Sequence, residues 1–176
     1  RLEQEQAQES ARQRILAREL EWIRATPSAR TVRNKARVAR FHDLEAQELV
    51  SLIGTNVDDA DYLVLGGDFN TSDRGEAAIQ TLDGTFVVSG PFPKDQLAND
   101  LTNGPRNKPY DWVLGDADLE SRAIPVLIGA STFDDGAVID TRVYTPLSEI
   151  APALMGDSGA NGMQHMAVVR DFAFAP

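Results

Sequence analysis

Tyr62-Leu63-Val64-Leu65-Gly66-Gly67-Asp68-Phe69-Asn70-Thr71 is the stretch on which the fold turns. Its opening apolar run, bounded by paired glycines, reads as a short buried strand. Side chains two apart on an extended chain share a side. Asp68 and Asn70 therefore point together while Phe69 turns back into a core. The glycines let the backbone approach a ligand closely. A carboxylate beside a neutral amide suits orienting a water and holding a phosphoryl oxygen. An Asx-rich turn closing a strand accounts for the same residues equally well.

Downstream, residues 85–88, 110–114, 123–128 and 166–174 carry apolar runs between loops rich in Gly, Asp, Pro and Asn, and each is a strand candidate. Residues 132–162 have Gly and Pro scattered through them and give no clear element. Within the second run, Asp111 sits among apolar neighbours, which is costly unless it has a partner. A histidine, whose tautomer it would fix, is the natural one; an edge-strand Asp facing water is the plainer alternative. Met163-Gln164-His165-Met166 places one of only two histidines just before the last run. Imidazole is the usual general base near neutral pH, although an isolated strand-end His is more readily satisfied by the backbone.

Upstream the character is helical. Residues 1–25 are dominated by Gln, Glu, Ala, Arg and Leu, all good helix formers, with Leu16, Leu20 and Ile23 as a narrow apolar stripe. Pro27 interrupts, and helical composition resumes from about residue 29 to 53 with Val38, Phe41, Leu44, Leu49 and Leu52 on one face. The junction is basic: Arg30, Arg33, Lys35, Arg37 and Arg40. A solvated helix face explains most such charged runs. The sequence thus predicts an α/β chain with a basic helical hairpin over 1–47 and a second domain over 48–176.

Charge supports that division. The chain of 176 residues has a net charge of −10. Residues 1–47 carry 10 Lys/Arg against 7 Asp/Glu, and the remainder 7 against 20. The acidic part repels a phosphate backbone at long range, which argues against avid binding of long nucleic acid there. With no cysteine, disulfides and thiolate chemistry are excluded. No apolar run reaches the ~18 residues of a membrane span. The opening Arg1 is what a fragment or a processed chain would show.

Asp68/Asn70, Asp111 and His165, in that order, give residues 48–174 a resemblance to the C-terminal half of the endonuclease/exonuclease/phosphatase superfamily. The resemblance implies half of a four-layer α/β sandwich, one mixed sheet with flanking helices. It implies that Asp68 orients or activates water, Asn70 binds a phosphate and His165, held by Asp111, acts as base or stabilises the pentacovalent phosphate, in hydrolysis of a phosphate-ester substrate that is a nucleic acid or a small molecule. It also implies Mg²⁺ or Mn²⁺ with ligand positions at Asp68 and Gln164. Gln164 stands where the family carries an Asp, and the family's first half, with its Glu ligand, has no counterpart before Asp68. A bare inner sheet face would favour self-association.

Glu19-Leu20-Glu21-Trp22-Ile23-Arg24, Arg30, Lys35-Ala36-Arg37 and Arg40-Phe41 give residues 1–44 a different resemblance, to the linker between the two ATPase domains of ABC-F translation factors. That resemblance implies a helical hairpin contacting transfer RNA and ribosomal RNA, here through residues 30–40, and a cytoplasmic setting. No G-x-x-x-x-G-K-[ST] nucleotide loop accompanies it.

Overall fold

The computed structural model describes residues 2–25 and 32–174. These form two compact units, one of residues up to 59 together with 75–82, the other of 60–74 with 83 onward.

The helical unit is built from α1 (Leu2–Ala25), α2 (Val32–Asn56) and α3 (Ala77–Leu82). α2 runs without a break through residues 44–48 and ends where Asn56, a residue suited to a helix terminus, turns its amide onto the Leu52 carbonyl at 2.8 Å. Phe41 and Ala46 on α2 and Ile79 and Leu82 on α3 are buried. α2 and α3 pack together, and Thr81 Oγ1 donates to Asp43 across them at 2.5 Å. Arg30 and Pro27 of the basic turn, and the side chains of Ile23 and Arg33, lie outside the described residues.

In the other unit, β1 (Val64–Asp68) pairs antiparallel with β2 (Asp111–Gly115), setting Leu65 opposite Leu114 and Asp68 opposite Asp111. The strand expected over 62–65 is therefore shifted into the glycines. It is also open rather than buried, with Val64 62% exposed. α4 (Ala117–Glu120) follows β2, capped by the Asp116 carboxylate, which accepts the Leu119 N–H at 2.6 Å. β3 (Ala123–Ile124) pairs with β8 (Asp171–Phe172), β4 (Val126–Ile128) with β5 (Ser131–Phe133), and β6 (Ala137–Ile139) with β7 (Ala167–Val169).

The class is α/β, but the expected single mixed sheet is corrected: among the described residues the strands form four separate two-stranded sheets, every named pair antiparallel. Pro125 splits the run at 123–128, because a proline cannot donate to a ladder. Residues 85–88 make only a single bridge, Asp83 with Phe86, although Phe86 and Val88 are buried. The stretch 132–162 supplies β6, much of β5 and two short 3₁₀ turns. One core gathers Val126, Phe133, Ala137 and Tyr144, with Ile128, Ile139, Ile150 and Val169 against it. Among the described residues no helix is long and apolar enough to cross a membrane.

Candidate functional site

The end of the β1–β2 ladder sets two carboxylates side by side. Asp68 and Asp111 are register partners there. His165 approaches from a third segment, joined to Asn103 by an isolated antiparallel bridge. Its Nδ1 lies 3.1 Å from Asp111 Oδ1, and its Nε2 3.7 Å from Asp68 Oδ2. Among the described residues these three form the group whose side chains could share a metal ion, one donor atom from each lying within 4.8 Å of the others.

Asn70 closes the Asp68 side. Its backbone N–H donates to Asp68 Oδ1 at 2.8 Å and its amide Nδ2 to Oδ2 at 2.9 Å. Asn70 adopts φ 50°, a left-handed conformation that Asn tolerates better than most residues. Below it, Thr71 is almost fully buried and donates to the Pro109 carbonyl, and the Trp112 indole donates to Thr71 Oγ1 at 2.9 Å. That buried polar knot anchors the loop after β1 to the residue preceding Tyr110.

Asp111 is the more enclosed carboxylate, its side chain 16% exposed against 37% for Asp68. Burial raises its carboxyl above the usual carboxylate range, against the opposing pull of His165 and Thr102. A cation beside it would offset that cost.

The structure brings Asp68, Asn70, Asp111 and His165 together. Gln164 immediately precedes His165, and its side chain is exposed. Its carbonyl accepts the Gly104 N–H at 2.7 Å.

Thr102 and Asn103 are functional supports that sequence reasoning missed. Thr102 accepts the Asp111 N–H on its hydroxyl at 2.7 Å and the Met166 N–H on its carbonyl at 2.7 Å, holding both sides of the His–Asp pair. Asn103 Oδ1 accepts the N–H groups of Asn107 and Lys108 at 2.7 and 2.9 Å. The density of Asn, Asp and Thr in Asn99-Asp100-Leu101-Thr102-Asn103 was the available signal, since such residues replace backbone partners with their own side chains. Two carboxylates and an imidazole suit Mn²⁺ better than Mg²⁺, which prefers all-oxygen shells. These residues fit a divalent cation with water completing its shell.

In the helical unit, Arg37 reaches from α2 to α1. Its guanidinium carbon lies 3.8 Å from the Trp22 ring centroid, and its Nε donates to the Glu19 carboxylate. Arg14, Arg18, Lys35 and Arg40 are exposed.

A segment of the chain resembles ABC-F translation factors. The energy-dependent translational throttle protein EttA of Haemophilus influenzae is 52% identical over 56 residues, 32% of this chain and 10% of that protein. EttA of Escherichia coli K12 is 43% identical over 56 residues, and the ATP-binding protein ChvD of Rhizobium radiobacter 43% over 49, or 27% of this chain and 17% of that protein. The chain thus spans about a tenth of the length of the first of these relatives. No family model and no solved structure matches the chain. The description of the chain as a hydrolase of the nuclease or phosphodiesterase kind is corrected by these findings: the relatives are translation and ATP-binding proteins. The resemblance of residues 48–174 to the endonuclease/exonuclease/phosphatase proteins finds no counterpart among them.

Proposed function

We infer that the helical unit is an RNA-contacting hairpin that associates with the ribosome. The observation that carries this is the 52% identity to a translational throttle protein over 56 residues, a length equal to about that of the paired helices α1 and α2. The exposed Arg14, Arg18, Lys35 and Arg40 supply the cations a phosphate backbone needs. The setting that follows is cytoplasmic. Co-sedimentation with bacterial ribosomes and anisotropy with transfer RNA, between 50 and 200 mM salt, test it. Binding should weaken steeply with salt, and Lys35→Gln and Arg40→Gln should each lower the slope of log K against log salt by about 1. Binding that ignores salt and both substitutions would sink the reading.

A second reading, for the other unit, rests on the meeting of Asp68, Asp111 and His165 within 4.8 Å. These residues would hold Mn²⁺ or Mg²⁺. A cation bound there would neutralise the charge of the paired carboxylates. His165, oriented by Asp111 through Nδ1, would turn its remaining ring nitrogen, Nε2, to the cation. Titration with Mn²⁺ followed by the loss of its free-ion EPR signal should show one site in the whole chain and none in Asp68→Ala.

A further inference from the structure

The basic residues near the hairpin's turn divide into two groups with different jobs. Exposed Lys35 and Arg40 are free to turn toward a partner, whereas the flat face and the Nε–H of Arg37 are already engaged within the protein. A guanidinium offers a flat face and an edge of N–H donors. The face lies on the Trp22 indole at 3.8 Å, and the edge donates to the Glu19 carboxylate. Glu19 and Trp22 are three apart on α1, so they sit on one side of that helix and meet Arg37 together. The Arg37 hydrogen bond, helped by the charges of Arg37, Arg18 and Arg40 and opposed by partial burial, holds the Glu19 carboxyl below its usual range.

We propose that Arg37 is a positioning residue: with Trp22 and Glu19 it locks α1 to α2, and so fixes the geometry in which the neighbouring basic residues meet RNA, rather than itself binding a phosphate. This rests on the ribosome-contact reading above. A phosphate approaching Arg37 would compete with a carboxylate that already holds it. Trp22 lies near the end of α1 and Arg37 near the start of α2, between Lys35 and Arg40 along that helix. The lock needs a planar, delocalised cation, because a guanidinium can lie flat on an indole while its Nε–H donates to a carboxylate, and a lysine ammonium has no such flat face.

The test compares Arg37→Lys, Arg37→Gln, Trp22→Leu, Trp22→Phe and the double variant Trp22→Leu/Arg37→Lys in the full chain, binding transfer RNA across the same salt range. Far-UV circular dichroism confirms that each keeps its helix content. Arg37→Lys and Trp22→Leu should each weaken binding about two- to fivefold, on the scale of one exposed cation–π contact. The double variant should be no weaker than either single one, and the salt slope should not change. Trp22→Phe, which keeps a ring under the guanidinium, should bind nearly as the unaltered chain does.

The proposal is overturned if Arg37→Lys binds as well as the unaltered chain, since a point charge would then suffice. It is equally overturned if Arg37→Gln lowers the salt slope by about 1 while Trp22→Leu leaves affinity intact, the pattern of a direct phosphate ligand. Absence of binding by the unaltered chain at every salt concentration sinks the ribosome-contact reading itself, and this role with it. That outcome is distinct from binding that Trp22 does not influence.

Discussion

Two arginines, one in each compact unit, show how differently the units are held. Arg37 ties two long helices whose backbones are already satisfied internally, and its side chain is 38% exposed. Arg106 is 9% exposed and sits between two buried carboxylates, Asp95 at 2.8 Å and Asp140 at 2.9 Å. It also donates to the Asn99 carbonyl at 3.0 Å, while Asp140 holds Arg142 at 2.7 Å. Burial raises the Asp140 carboxyl, but hydrogen bonds and charge from Arg142, with the charge of Arg106, outweigh that and leave it below its usual range. A unit of long helices needs side-chain ties only to fix how helices pair. A unit whose strands span two to five residues must tie its loops with buried charge instead.

Substitution of the two arginines separates these roles most sharply. Arg106→Ala leaves Asp95 and Asp140 buried with less compensation and should cost about 3–5 kcal/mol, the usual penalty for breaking a buried ion pair. Arg37→Ala should cost only about 0.5–1 kcal/mol for its lost contact with Trp22. Urea denaturation of both variants checks the contrast; equal losses would show that the helical unit depends on its clamp as the other depends on its ionic bolt.

Between these falls Gly104. A Cβ there would lie 2.7 Å from the Met163 carbonyl oxygen, and that atom is backbone and cannot swing aside. Gly104→Ala should therefore cost about 1–3 kcal/mol as an overpacking change. Because Gly104 and Asn103 are what the His165 segment pairs with, it should also weaken Mn²⁺ binding in a chain that remains folded. Unchanged Mn²⁺ affinity would separate the loop from the site.

The same contrast governs what can be read from residues in order. α2 follows from composition and a 3.6-residue apolar period, both local, so Phe41 is expected inside and is found there. The meeting of Asp111 with His165, 54 residues apart, is suggested by one rule, that an acid among apolar neighbours needs a partner. Nothing comparable marks Arg106 and Asp140, which meet 34 residues apart across loops that carry no period. The sheet arrangement is illegible for a similar reason. Strand candidates announce themselves, but pairing is set by where Pro125 and the Gly–Asp turns cut them and by which loops the buried charges draw together.

The smallest effect, and the one of opposite sign, should come from Asp111. Its carboxyl is raised in the folded chain, chiefly by burial. An acid whose folded value exceeds its unfolded one, about 3.9, contributes stability that is fully present below the unfolded value and lost as pH rises through the folded one. At neutral pH the ionised Asp111 is therefore a net cost. Asp111→Asn removes that charge but keeps a carbonyl acceptor for His165, so its Tm should exceed that of the unaltered chain at pH 7, and the gain should shrink toward zero as pH falls below about 4. Mn²⁺ should raise the Tm of the unaltered chain at pH 7 by lifting the same cost, and leave Asp111→Asn nearly unmoved. A variant that melts lower at pH 7 would mean that the Asp111–His165 pair holds the fold more strongly than burial of the carboxylate opposes it.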